Sequence, residues 1–214
     1  MNKSVIVAAT LAGFAFTGLA QETPETSEPS GSSFYAKFDF GPAFQENFDG
    51  KFLGFTGEFE TEMGIRFAAA GGLPLNDVVA LEVESGFTIN SFDTFGGGPF
   101  PPGQEYNLVQ IPLLVNVVFT LPTDGPLKPY AGIGAGGVIV AETGDESDSD
   151  ITYGWQLQAG LNYQFSKGFS AGIGYKLLGI GETDLGNGVS PGGLTFELDS
   201  VLTHAVFASI RLDF

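Results

Sequence analysis

From residue 34 onward, apolar side chains recur at every second position in about eight segments, the period of a β-strand with one apolar and one polar face. The first segment sets Phe34, Ala36, Phe38 and Phe40 against Tyr35, Lys37 and Asp39. The second sets Phe59, Thr61, Met63, Ile65 and Phe67 against Glu58, Glu60, Glu62 and Arg66. The third sets Val79, Leu81, Val83, Phe87 and Ile89 against Glu82, Glu84, Thr88 and Asn90. A fourth runs from Val109 to Phe119, where Leu114 and Val118 fall on the polar side and Pro112 lacks a ladder donor. The fifth carries Ala131, Ile133, Ala135 and Ile139, with Gly132, Gly134 and Gly136 leaving room on the other face. In the sixth, Tyr153, Trp155, Leu157, Ala159, Leu161, Tyr163 and Phe165 alternate with Gly154, Gln156, Gln158, Gly160, Asn162 and Gln164. The seventh sets Phe169, Ala171, Ile173, Tyr175 and Leu177 against Ser170, Gly172, Gly174 and Lys176. The eighth carries Leu202, His204, Val206, Ala208, Ile210, Leu212 and Phe214 on its apolar face.

Connections and aromatic residues sort by position. Short turns are expected at 70–77, 122–127 and 166–168, and long connections at 45–56, 91–105, 142–151 and 178–201. Apolar-face aromatics gather at the turn ends (Phe34, Phe67, Phe119, Phe165, Phe169, Phe214) and at the opposite ends (Phe59, Phe87, Tyr153, Trp155, Tyr175). Tyr130 breaks the pattern, since its parity puts it on the polar face. Two aromatic belts and alternating connection lengths are the pattern of a barrel that crosses a bilayer.

Composition agrees. The chain is 43% hydrophobic with 21 Phe, yet residues 34–214 hold no apolar run of the 18 or more residues that a membrane helix needs. Apolar content spread by alternation suits strands that show lipid one face and a lumen the other. The expected fold is all-β, an eight-stranded antiparallel up-and-down transmembrane β-barrel over residues 34–214. Residues 1–20 read as a signal peptide, with Lys3, an apolar stretch and a Gly18-Leu19-Ala20 cleavage site. Residues 21–33 read as a disordered acidic segment. There is no cysteine to anchor a lipid, bind metal or form a disulfide. A net charge of −17 argues against nucleic acid.

Parity collects a set of charges for the lumen: Lys37, Asp39, Glu58, Glu60, Glu62, Arg66, Glu82, Glu84, Lys176, Arg211 and Asp213. The expectation is an ion-paired network that fills the interior of a narrow barrel; its alternative role is a gate. Arg66 and Glu82 are equidistant from Pro74 and are expected to face each other. The surplus of carboxylates would give an open lumen a weak cation preference. The acidic stretch 142–150 is expected to be a solvated loop, with Asp145, Asp148 and Asp150 as weak calcium candidates. No cofactor is expected. The glycine runs at 96–98 and 132–137 lack the lysine of a phosphate loop.

The segments Gln110-Ile111-Pro112-Leu113-Leu114-Val115-Asn116 and Lys128-Pro129-Tyr130-Ala131-Gly132-Ile133-Gly134-Ala135-Gly136, with the terminal Phe214, carry a resemblance. They are similar to the small eight-stranded outer-membrane barrels of the OmpA-like and opacity-protein type, and the likeness spans 33–214 without a peptidoglycan-binding domain. It implies a non-enzymatic, monomeric barrel of the bacterial outer membrane that stabilises the membrane and presents acidic surface loops. A narrow, weakly cation-preferring channel is the alternative. Implied partners are outer-membrane lipid, lipopolysaccharide, and an assembly machinery that reads Ile210, Leu212 and Phe214. Enzymes of this architecture include lipid A deacylases with a His-x-Ser pair; here His204 is the sole histidine and Val206 stands two residues on.

Overall fold

The alternation folds as strands throughout the computed structural model, which describes residues 34–52, 54–99, 106–143, 148–185 and 196–214. In chain order the strands are β1 (Tyr35–Gln45), β2 (Phe48–Phe52), β3 (Phe55–Thr61), β4 (Gly64–Pro74), β5 (Val79–Phe95), β6 (Gly98–Pro99), β7 (Asn107–Thr120), β8 (Leu127–Thr143), β9 (Asp148–Ser166), β10 (Phe169–Ile180), β11 (Thr183–Leu185), β12 (Phe196–Leu198) and β13 (Val201–Asp213). Eight of them, β1, β4, β5, β7, β8, β9, β10 and β13, pair antiparallel in that order. Pairing of β13 with β1 then closes the sheet into a barrel. Closure satisfies every edge, as a sheet in lipid requires. The closing seam ends where Phe214 N donates to Phe34 O (3.0 Å) and the two rings stack at 4.7 Å.

The turn end has connections at 75–78, 121–126 and 167–168. In the first, Asn76 Oδ1 accepts from the amides of Val78 and Val79 at 2.9 and 2.8 Å. Sequence pattern placed this turn too early: β4 continues to Pro74, and the hairpin turns about Asp77 rather than Pro74. Phe67 and Phe87 therefore face each other across β4 and β5, 5.9 Å apart, well inside the strands instead of in the two belts. Pro112 sits where the β5–β7 ladder skips from Ser85↔Leu113 to Thr88↔Gln110, so its missing donor leaves no gap in a regular ladder.

At the opposite end the described residues of the expected loops are largely strand. β2 and β3 form a hairpin, β12 pairs β2, β11 pairs β12, and β3 pairs the far end of β5 across a bulge at Glu60 and Thr61. The expected acidic loop is likewise shorter, since Glu142 pairs Asp148 across β8 and β9.

Between β3 and β4 the inward set changes phase. Odd Phe59 is buried in β3, whereas even Arg66, Ala68 and Ala70 are buried in β4. Phe59 therefore does not face lipid. It packs with Phe48, Phe92, Tyr106, Leu108, Leu114, Val138, Leu178 and Val201 in one apolar cluster spanning the extension and the upper lumen. Below this cluster buried charges and amides share the lumen with Tyr130, Phe207, Val118 and small alanines.

Gly134 shows how the interior is filled. A Cβ on it would stand 1.9 Å from Asn116 Oδ1, so the missing side chain is what lets Asn116 lie across β8. Gly134→Val should cost about 1–3 kcal/mol by overpacking, read as an earlier urea midpoint with unchanged slope.

Candidate functional site

Six buried charges form the centre of the lumen. Lys37 of β1 donates to both oxygens of Glu82 on β5, at 3.0 and 2.8 Å, and Tyr35 OH adds a third bond to Glu82 at 2.8 Å. Lys176 of β10 bridges Asp39 (2.6 Å) and Glu84 (2.7 Å). Arg66 of β4 donates to Glu84 at 2.8 Å, to Gln156 at 3.1 Å and to Thr88 at 3.3 Å. Gln156 passes the network on to Asn116 (3.2 Å), and Gln158 touches Lys37 and Glu82 at 3.4 Å each. The aliphatic and aromatic surroundings complete the layer: Lys176 lies 4.9 Å from the Phe207 ring and Lys37 5.8 Å from that of Tyr130.

Lys37, Asp39, Arg66, Glu82, Glu84 and Lys176 thus stand where parity put them, all buried. Their pairing differs from the expectation. Arg66 lies opposite Thr88 and bonds to Glu84, while Glu82 belongs to Lys37, because the hairpin turns about Asp77. Glu58 and Glu62 are exposed and Glu60 is half-buried, all beyond the β3–β4 phase change and outside the network. Arg211 sits at the turn end, half-buried, where it pairs with Asp213 (2.6 Å) and covers the Tyr35 ring at 3.5 Å. Three cations meet three carboxylates in the central layer. Toward the opposite end Glu142 is a further buried carboxylate, so the buried side chains among the described residues keep a surplus of one carboxylate.

Several members escaped the sequence reading. Tyr35, Gln156, Gln158 and Asn116 had the right parity, and amides on a glycine-rich inner face were the signal that could have singled them out. Ile210, Leu212 and Phe214 are exposed on the outer face of β13. Of the calcium candidates, Asp145 lies outside the described residues, and only the backbone of Asp148 is described. The Asp150 carboxylate accepts from the amides of Ile151 (2.7 Å) and Asp184 (3.3 Å). Among the described residues no group of three carboxylate or imidazole side chains is placed to hold a metal.

On the outer face of the extension, Asp49 and Glu58 lie directly opposite each other, as do Asp184 and Glu197. Lys51 bonds Glu197, which raises the lysine pKa.

The chain is similar in fold to three solved outer-membrane proteins. Neisserial surface protein A shares 17% identity, with 86% of this chain and 98% of that one covered, at a TM-score of 0.58. OprG from Pseudomonas aeruginosa shares 10%, with 86% and 98% covered, at 0.54. The outer membrane protease OmpT from Escherichia coli shares 8%, with 89% and 99% covered, at 0.50. No curated protein matches the chain. The model of the outer membrane protein beta-barrel domain matches residues 6–199, and with the closed barrel and its paired lumen already in view, the chain belongs to that family.

Proposed function

We propose that this protein is a non-enzymatic, non-conducting barrel that stabilises the outer membrane and holds a rigid acidic extension above its surface. The observation that carries this reading is the filling of the lumen in two successive layers. A layer of six paired charges lies toward the turn end, and above it the apolar cluster around Phe59, Leu108 and Val138 fills the lumen together with the buried Asn90, Gln110 and Thr203. An ion crossing would have to part the paired side chains and then displace the tightly packed, largely apolar side chains above them. The acidic extension sheet supports the second half of the reading, because like charges at opposed cross-strand positions suit a face that stays in water.

The same reading includes an exported, monomeric protein with a cleaved signal peptide at 1–20, whose Ile210, Leu212 and Phe214 serve the assembly machinery. The likeness to a protease is one of fold. The narrow-channel alternative places its gate in the Arg66–Glu84–Lys176 pairs, and the surplus buried carboxylate, Glu142, would supply its weak cation preference.

Current across a planar bilayer containing refolded, heat-modifiable protein tests the proposal. Silence is the expected result under potassium chloride gradients. Discrete steps would overturn it and return the lumen to a gated pore.

A further inference from the structure

The wall between β1 and β13 is made differently from the rest of the barrel. Every other junction joins strands that a turn or the extension links in the chain, whereas β13 meets β1 only when the whole sheet has curled round. Before that closure, β1 and β13 are the open edges of the sheet. An open edge accepts any strand that offers matching amides and carbonyls. Halfway along β1 this edge is interrupted. Phe214 N donates to Phe34 O and Glu46 N donates to Leu202 O, so the even residues along β1 are those whose backbone bonds point to β13. Pro42 is one of them, and it has no N–H to give. The ladder to β13 skips there, from Phe40↔Ala208 to Ala43↔Ala205, while on its other side Pro42 pairs regularly with Ile65 of β4.

Gly41 fits the native partner to this gap. A Cβ on it would stand 1.9 Å from Val206 O and 2.7 Å from Phe207 Cα, so the bare glycine is what lets β13 lie close where a hydrogen bond is missing. Side chains supply the attraction instead. Lys176 reaches from β10 past β13 to Asp39 of β1 (2.6 Å), and Phe34 stacks on Phe214. His204 Nε2 donates to the Glu46 carboxylate at 2.9 Å, and its Nδ1 lies 2.5 Å from the Tyr175 hydroxyl of β10. A lone strand of another chain cannot present these groups together.

We propose that Pro42 guards the open β1 edge during folding: it withholds a backbone donor from foreign strands and leaves closure to side-chain pairs that the molecule's own β10 and β13 bring together. Proline is suited to this task because it blunts an edge without adding a charge to a wall that will face lipid. The partner kept away is a second, incompletely closed copy of this chain, whose own edges are equally unpaired. Once the barrel is shut, the missing bond is a small cost shared with Gly41.

The test is refolding from urea into lipid vesicles at rising protein-to-lipid ratio, with heat-modifiable monomer as the readout. Pro42→Ala restores the donor. At the lowest ratio it should fold as completely as wild type, with a urea midpoint no lower. At the highest ratio its monomer yield should fall about two- to tenfold below wild type, the worth of one hydrogen bond, and the missing protein should appear as cross-linkable oligomers. Pro112→Ala is the control. It restores a donor toward β5, at a junction whose strands the chain already links, and should match wild type at every ratio. Equal yields for Pro42→Ala and wild type overturn the proposal, as does an equal loss from Pro112→Ala. A Pro42→Ala protein that fails at every ratio, or whose midpoint falls with its yield, also overturns it, because the proline would then serve the folded wall alone. Current is read on barrels already folded, so that result and this one are independent.

Discussion

Glu84→Ala should lower the unfolding free energy by about 3–5 kcal/mol, the usual loss when one member of a buried ion pair is removed. Glu84 is fully buried and answers two cations at once, Arg66 and Lys176. Its removal leaves Lys176 with Asp39 alone, and leaves Arg66 with only the neutral Gln156 and Thr88. Urea titration in lipid vesicles, followed by the fluorescence of the single tryptophan, Trp155, reads the change. Glu62→Ala is the control: parity grouped it with Glu84, but it is exposed, and its substitution should stay within about 0.5 kcal/mol of wild type. Equal effects from the two variants would contradict the division of the lumen described above.

A second large effect is expected from Phe59→Ala, about 3–5 kcal/mol as for other buried phenylalanines. The ring is fully buried, with centroids 4.7 Å from Phe95, 5.3 Å from Phe92 and 5.5 Å from Phe48. The loss should fall on the extension, because three of the partners that hold β2 and β3 over the barrel go slack together. Limited proteolysis should cut within 46–62 far faster than in wild type, while the barrel keeps its heat-modifiable migration. A Phe59 that faced lipid would leave the cleavage rate unchanged.

That contrast also marks what the sequence made legible. The transmembrane strands could be read because one physical rule, lipid on one side and lumen on the other, acts on every residue in turn; Lys37, Asp39, Arg66, Glu82, Glu84 and Lys176 all stood on the inner face for that reason. The rule says nothing about where lipid ends. Phe59, Thr61, Met63, Ile65 and Phe67 run in unbroken alternation, yet the chain reverses its phase between Thr61 and Gly64, and an apolar protein core takes the place of lipid. Hydrophobicity alone cannot distinguish the two environments. Glu58, Glu60 and Glu62 were carried into the lumen by the same unbroken count. Pairing was harder still: a turn centred three residues away exchanges every cross-strand neighbour while leaving each residue on its correct face, which is how Arg66 came to be matched with Glu82. Tyr175 and His204 looked like ordinary belt residues, since their partnership joins strands β10 and β13 with Glu46, which is remote in the chain.

The seam between β1 and β13 has a consequence for how the molecule forms. Tyr35 finds its partner at Asp213, so the contacts that close the cylinder join the two ends of the chain and carry the greatest loop-closure entropy of any pairing in it. Neighbouring hairpins can form locally and early; this junction can form only after all the others. Until then the nascent sheet exposes two ladders of unpaired amides in or near hydrocarbon, the state most prone to pairing with another chain. Weakening the last junction, where Phe34 and Phe214 meet, is therefore expected to slow folding more than weakening a hairpin, as refolding rates into lipid vesicles would read.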